Sequence, residues 1–400
     1  MNDLPKRSAE EPQKRVVGYS IEHYLDLTAN WIYQQLFALR RYHGIVLCNT
    51  TANRNLFPWS DVYSSRDAGV LGYYAERVKR RVLRGGISRY HLAAARRHGI
   101  SLLHSHFGPR AFYDIDLCQR LDIPLISSFY GVDATAVPAQ HPRWRQNYRK
   151  LFECSSQVVV EAPNMKRVLT ELGCESDKIA VNHLGVDLST VEFKLRRREG
   201  PVKFFIASSF REKKGIPDAL EAIGLLKPKL PAFTVTIAGA VAKSPESVRE
   251  HEKMHAVIGK YGLTENVRFV GFLSRAALLT EGVANDIFIS TSKTASNGDT
   301  EGGTNIAVIE MAATGMPIVT TRHCDLPTTM GDLNQRWLAD EGSVESIARA
   351  IEGIVEDDWA ALGASNRAHV EAKFDISRCV SSLETIYDNV EKRHQSAAGK

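Results

Sequence analysis

The chain of 400 residues reads as an α/β protein built from two doubly wound domains that face a cleft. Three observations predict this class. The length exceeds one ordinary domain of roughly 150 residues. Short apolar runs rich in β-branched and aromatic residues alternate with segments of helical periodicity. The series halts at the polar, charged stretch LSTVEFKLRRREGP, residues 188–201, and then restarts. Composition agrees: 44% hydrophobic and 24% charged is a globular balance, which excludes a disordered or collagen-like chain.

In the amino half the strand candidates are VVGYSI from Val16, GIVLCNT from Gly44, ISLLHSHFG from Ile100, PLISSFYG from Pro124 and QVVVEAP from Gln157. NWIYQQLFALRR, from Asn30, has helical periodicity. The carboxyl half repeats the scheme with KFFIASSF from Lys203, FTVTIAGA from Phe233, VRFVGFL from Val267, DIFISTS from Asp286 and PIVTT from Pro317. The first four runs lack polar alternation, which suits strands of a parallel sheet buried on both faces. Helices between such strands make βαβ units, so each half is Rossmann-like. A last helix, from about Asp375 to Lys392, has no strand of its own. The expected organisation is a Rossmann-like domain over 1–195, a second over 201–374, and a helix over 375–400 that packs back on the first. No short-period repeat occurs, which excludes a solenoid.

The net charge of +5 hides an asymmetry. Residues 1–199 carry 29 Lys and Arg against 20 Asp and Glu, a surplus of nine; the remainder carries 22 against 26, a deficit of four. Halves that differ in this way often handle different partners. The segment 77–97 concentrates Arg77, Lys79, Arg80, Arg81, Arg84, Arg89, Arg96 and Arg97 beside Val78, Val82 and Leu83. Such a helix can rest on an anionic membrane, or simply be a solvated amphipathic face. No nucleic-acid-binding signature accompanies the charge, so nucleic acid is not an expected partner. The start, MNDLPKRSAEEPQKR, has no apolar run of a signal peptide, and no stretch of about 18 apolar residues follows. The expected location is cytoplasmic, with a peripheral contact at the inner face of the membrane. Cys48, Cys118, Cys154, Cys174, Cys324 and Cys379 form no C-x-x-C pair and are expected as reduced thiols.

Three segments carry chemistry. The first is DTEGGTNIAVIEMAATGMPIVTT, residues 299–321. Gly302 and Gly303 let the backbone approach a ligand, and Thr304 is placed to cap the following helix, whose free N–H groups suit a phosphate or polar sugar. Glu310 is placed to accept the hydroxyls of a ribose, and Glu301 those of a sugar. A plain βα turn with solvated acids is the alternative. The second is FFIASSFREKKGIPDALEAIGLL, residues 204–226, where Arg211, Lys213, Lys214 and Gly215 crowd a strand end. A lysine there neutralises a diphosphate as a point charge, and an exposed charged loop is the alternative. The third holds His104-Ser105-His106-Phe107-Gly108 and Tyr130-Gly131-Val132-Asp133. His104 and His106 share a strand face without a third ligand in register, so polar groups facing the cleft are expected and no metal.

Together these motifs resemble the retaining glycosyltransferases of family 4, and among them the exopolysaccharide type of colanic acid biosynthesis. The likeness covers about residues 100–390. It implies the GT-B fold and assigns roles by position. The lysine of E-K-K-G, Lys214, holds the donor diphosphate. Glu310 binds the ribose, and Glu301 lies at the donor sugar. The amides of Gly303, Thr304 and Asn305 meet the sugar or phosphate. VRFVGFL resembles the strand that ends at the base, which places Phe272 and Leu273 there. HLGVD, ending at Asp187, resembles the segment that closes the amino domain. Where the family commonly has an arginine stand Ser208 and Ser209, with Arg211 placed to substitute; Ser209, Arg211, Lys214 and Gly215 are the expected diphosphate set. Eight residues, not the usual seven, separate Glu301 from Glu310. The family's H-G-x-D reads Tyr130-Gly131-Val132-Asp133, and tyrosine is neutral at pH 7 where histidine titrates. Tyr130, Asp133 and Glu301 are the expected catalytic positions, with the role of Tyr130 open.

The resemblance implies transfer of a hexosyl unit from a UDP- or GDP-linked sugar to a hydroxyl of a glycan, lipid-linked or small-molecule acceptor. Configuration would be retained, with no metal and no cofactor beyond the donor. A nucleotide-sugar epimerase of the same fold and a non-catalytic two-domain sugar-binding protein are the rivals. A Rossmann dehydrogenase is disfavoured because no G-x-G-x-x-G follows a strand.

Overall fold

The structure, a computed structural model, describes residues 14–69, 72–74, 78, 88–230 and 232–399. It contains two parallel sheets. The first has the order β3-β2-β1-β4-β5-β6-β7, with β1 Arg15–Tyr24, β2 Tyr42–Thr51, β3 Val62–Ser64, β4 Leu102–His106, β5 Leu125–Phe129, β6 Gln157–Val160 and β7 Ile179–Val181. The second has the order β10-β9-β8-β11-β12-β13. Its strands are β8 Val202–Ala207, β9 Phe233–Ala238, β10 Val267–Gly271, β11 Ile287–Ser290, β12 Ile318–Thr321 and β13 Leu338–Ala339. In each sheet the order reverses at the first strand: β1 lies between β2 and β4, and β8 between β9 and β11. These are the switch points at which open α/β sheets take ligands. Every strand candidate read from the sequence is present. Those not anticipated, β3, β7 and β13, span three, three and two residues, too few for a periodic signal.

By packing, the described chain falls into two units. One comprises residues up to Ser128, Glu153–Val158 and Val380 onward; the other comprises Phe129–Phe152 and Val159–Cys379.

The first unit buries the whole of β4 and the central residues of β1 and β2, as Val17, Ile45, Leu47, Leu102 and Leu103 show. His104 and His106 belong to this core. His104 Nδ1 lies 2.7 Å from Tyr387 Oη and Nε2 2.7 Å from Ser128 Oγ. Burial pulls it down to about 3, so the ring is neutral. The expectation of polar groups facing a cleft is therefore corrected: His104 is a hydrogen-bonded core residue, and His106 lies at a tilt against Tyr19 and Trp31. Tyr387 lies on the last helix, Ile376–Ala398, and its Oη is 3.1 Å from that of Tyr19. From the same helix Glu384 Oε1 accepts the N–H groups of Arg40 and Arg41 at 2.8 and 2.6 Å. Of the basic segment 77–97, Arg77, Lys79, Arg80, Arg81, Val82, Leu83 and Arg84 lie outside the described residues. Arg89, Arg96 and Arg97 sit on the helix Arg89–His98, capped by Ser88.

In the second unit β8, β9 and β11 carry Phe204, Val235, Ile237 and Ile289 into a core closed by Leu220, Ile223, Ile351 and Ile354 of flanking helices. The stretch read as a polar boundary holds a fully buried arginine. Arg196 donates to Asn285 O at 2.9 Å, Gly282 O at 2.6 Å and Thr314 O at 2.7 Å. These carbonyls end the helices Arg275–Ala284 and Ile306–Ala313. Helix carboxyl ends leave carbonyls without intrahelical donors and carry partial negative charge, so one guanidinium satisfies both. Burial brings Arg196 down to about 10, which leaves it charged at neutral pH. The cysteines are all free thiols, four buried and two half-buried. Among the described residues no helix is long and apolar enough to cross a membrane.

Arg196→Leu strands several buried carbonyls and is expected to cost about 3 kcal/mol. Urea unfolding followed by fluorescence measures this; a loss under about 1 kcal/mol would show that water replaces the guanidinium.

Candidate active site

Strand β8 ends at Ala207 and leads through Ser208–Arg211 into the turn Glu212–Lys214 and the helix Ile216–Leu226. Gly215 joins turn to helix with φ +60, and a Cβ there would strike the carbonyl oxygen of Thr291. Thr291 Oγ1 donates to Gly215 O at 2.8 Å. This contact holds the E-K-K-G turn against the segment that follows β11, so both lysines reach Asp299–Glu301.

Lys214 Nζ lies 2.6 and 2.8 Å from the two carboxylate oxygens of Glu301. Lys213 Nζ donates to Thr300 O at 2.7 Å and to Asp299 Oδ1 at 3.3 Å, and is 3.7 Å from Glu301 Oε2. Ser292 Oγ donates to Glu301 Oε1 at 2.6 Å. Arg211 pairs with Asp299 and lies 3.6 Å from Glu246. Burial alone would push Glu301 up, but Lys214, then Lys213, then the hydrogen bonds outweigh it and hold the carboxyl down at about 2. Burial draws Lys214 down against the opposing pull of Glu301. The lysine expected on a diphosphate and the glutamate expected on a sugar are thus directly joined.

The loop of Glu301 is held from behind by residues that the sequence did not single out. Glu301 N donates to His323 Nε2 at 3.1 Å, and His323 Nδ1 lies 2.9 Å from Glu341 Oε2. The nitrogen facing an amide must accept, so the ring proton sits on Nδ1 and points to Glu341. His323 follows β12 without any motif around it.

In front, the loop rests on protein backbone. Gly302 has φ +80, and a Cβ on it would strike Gly131 Cα; one on Gly303 would come within 2.5 Å of Glu161 Cγ. Both glycines approach protein closely, Gly302 at Gly131 and Gly303 at Glu161. Asn164 Nδ2 donates to Gly302 O at 2.7 Å, and Asn164 N to Asp325 Oδ2 at 2.8 Å. Asp133 is buried, and its Oδ1 accepts Tyr130 N at 2.8 Å. The three expected catalytic positions therefore share one neighbourhood, joined through Gly131.

The helix after the loop is Ile306–Ala313, and its cap is Asn305, whose side chain accepts Ala307 N at 3.0 Å. Thr304 is not the cap, contrary to expectation: Asn305 takes the extended conformation and the first free amide. Thr304 Oγ1 is buried and has no hydrogen-bond partner among the described residues. Glu310, on this helix, is buried and accepts from Arg275 Nε at 2.6 Å. Burial pushes it up and Arg275 pulls it down, with burial prevailing. Arg275 NH1 also reaches Thr190 Oγ1 at 2.8 Å. Leu273 packs against the cluster that includes Val308 and Ile309, whereas Phe272 is exposed. Ser209 O accepts Arg211 N at 2.9 Å, so Ser209 shapes the turn that carries the basic group.

Residues 29–190 match the family model described as Glycosyltransferase Family 4, and residues 189–373 that described as Glycosyl transferases group 1. Among curated proteins, the amylovoran biosynthesis glycosyltransferase AmsK of Erwinia amylovora is 27% identical over 272 residues, 66% of this chain and 64% of AmsK. WcaL of Escherichia coli (strain K12), by name a colanic acid biosynthesis glycosyltransferase, is 26% identical over 288 residues, 70% of this chain and 69% of WcaL. The chain thus aligns with about two thirds of the length of these relatives. Anabaena HepE in complex with UDP and glucose superposes with a TM-score of 0.70 at 16% identity, covering 94% of this chain and 100% of HepE. Sucrose-phosphate synthase of Thermosynechococcus elongatus gives 0.71 at 15% identity, covering 94% and 99%.

Because the Glu301 carboxyl lies lower in the fold than its ordinary value of 4.5, its pairing stabilises the protein above that pH and is lost as pH falls through about 2. Acid unfolding of the wild type and of Glu301→Gln tests this. The stability gap should be constant from neutrality down to about pH 5 and close on further acidification.

Proposed function

Since the chain belongs to the family 4 glycosyltransferases of the exopolysaccharide type, with the GT-B fold, we propose that it transfers a hexosyl unit from a UDP- or GDP-linked sugar to an acceptor hydroxyl, with retention and without a metal. The acceptor is a glycan, a lipid-linked sugar or a small molecule. The observation that carries this reading is the buried group of Lys213 and Lys214 around Glu301, set after β8 and β11, with Glu310 on the adjoining helix.

The chemistry asks for those groups. As the C1–O bond to the nucleoside diphosphate breaks, negative charge grows on the leaving oxygen. Lys214, Arg211 and the loop amides compensate it from a site largely closed to water. A diphosphate competes with Glu301 for Lys214, and the carboxylate so released is free to accept sugar hydroxyls. The acceptor oxygen forms its bond to C1 on the face the diphosphate leaves. Its proton passes to a phosphate oxygen, so no protein nucleophile is needed. In this reading residues 201–374 bind the nucleotide and diphosphate of the donor, and 1–195 the acceptor. The basic segment 77–97 then serves as a peripheral contact with an anionic membrane on the cytoplasmic side.

Lys214→Ala is expected to lower turnover at least about 100-fold and to abolish the thermal shift given by UDP or GDP. Turnover within a few-fold of wild type would overturn the assignment. Product NMR should show the anomeric configuration of the donor. Incubating donor alone separates an epimerase, which would change the sugar, from a transferase, which at most hydrolyses it.

A further inference from the structure

We propose that Glu161 is a further donor-binding residue that selects the hexose, its carboxyl hydrogen-bonding a hydroxyl of the donor sugar beside Gly303 and Thr304. This rests on the reading of the chain as a nucleotide-sugar transferase.

Glu161 follows β6 directly, at the carboxyl end of that strand, where open parallel sheets take ligands. It is 5% exposed. Its backbone carbonyl is 2.8 Å from His183 Nδ1, but no hydrogen bond or ion pair holds its carboxyl among the described residues. The carboxyl lies over Gly303: a Cβ on that glycine would come within 2.7 Å of Glu161 Oε1. The next residue, Thr304, carries the buried hydroxyl that also lacks a partner. The Glu161 carboxyl and the Thr304 hydroxyl, neither bonded to a described residue, therefore lie beside adjoining residues of the loop that carries Glu301, and the hydroxyl is wholly shut off from water. Buried polar groups are nearly always satisfied, because leaving one bare costs about 1–3 kcal/mol. Two together mark a place built for something else to complete.

The surroundings fix the chemistry of that partner. Burial first, then Glu301, Asp133 and Asp325, push the Glu161 carboxyl well above its usual range, against the pull of Lys213. A protonated carboxyl donates one hydrogen bond and accepts another, which is what a sugar hydroxyl needs. A phosphate would bring a further negative charge among three carboxylates and is disfavoured here. The diphosphate belongs to Lys214 and Arg211; the hexose ring belongs to Glu161. Sites that hydrogen-bond a hydroxyl discriminate strongly against ligands lacking it at that position.

Calorimetry on the full chain tests this with UDP, GDP, UDP-glucose, UDP-galactose and GDP-mannose as probes. In the wild type one sugar nucleotide should bind more tightly than its bare nucleotide. Glu161→Ala should remove about ten-fold of that sugar-dependent gain while leaving UDP or GDP affinity within about two-fold. Glu161→Gln, which keeps shape and a neutral donor and acceptor, should retain most of the gain. The donor KM of the wild type should rise as pH increases and Glu161 ionises, and that of Glu161→Gln should stay flat. Should Glu161→Ala keep the sugar-dependent gain and the same preference among hexoses, the assignment to Glu161 falls and the transferase reading stands. Should the wild type bind none of the five probes, both fall.

Discussion

A carboxylate closed off from water between two lysines organises the second unit. Removing Glu301 from water is costly, and it remains ionised only because Lys214, Lys213 and Ser292 surround it. Such an arrangement tolerates little error in position. The surrounding structure reads as a set of devices that supply that accuracy. Gly215 lets the lysine turn meet Thr291, and His323, oriented by Glu341, holds the amide of Glu301. Gly302 and Gly303 then allow the loop to lie on Gly131 and Glu161 without a side chain between them. Substitution at Gly215, Gly302 or His323 acts on the same ion pair, though none of them contacts its charged atoms.

The charge distribution of the chain is a poor guide to this site. The carboxyl half is net acidic, yet it contains the groups suited to an anion. At the distances involved, two placed ammonium groups outweigh a diffuse surplus of carboxylates that water and salt screen. Arg196 shows the same principle in the core. Its charge lies inside the stretch read as a polar boundary, and what holds it is the unsatisfied carbonyl ends of two helices. Net charge describes the surface, whereas function and folding here depend on charges removed from it.

Much of the fold was legible because its strands are long enough to show continuous apolar runs between helical segments. β3, β7 and β13 were not, since two or three residues carry no period. Lys214, Glu301 and Glu310 were legible as members of motifs, but their partners were not. Arg275 stands 35 positions before Glu310, and His323 stands 22 after Glu301, in segments without a signature. Only the sheet order, which sets β10, β11 and β12 in one layer with β8, brings them together. The cap was misread for a local reason: Thr304 and Asn305 are both good caps, and the backbone of the loop decides between them. His104 was misread because a polar residue at a strand end looks the same in sequence whether it faces solvent or a tyrosine from a distant helix.

The polar groups of the site divide into those with partners and those without. Lys214 and Glu301 have each other, and Glu310 has Arg275, so a ligand that uses them must displace a contact already made. Such exchange weakens net affinity, since the incoming bond replaces one of similar strength. It also conserves charge, so that no lysine or carboxylate is left bare in a buried site. Glu161 and Thr304 have no partner to give up. A ligand that reaches them gains contacts without displacing any, so discrimination concentrates there while the ionic groups supply charge compensation. Recognition of the sugar then rests on Glu161 and Thr304 and stabilisation of the leaving group on Lys214 and Arg211, so each can change without the other.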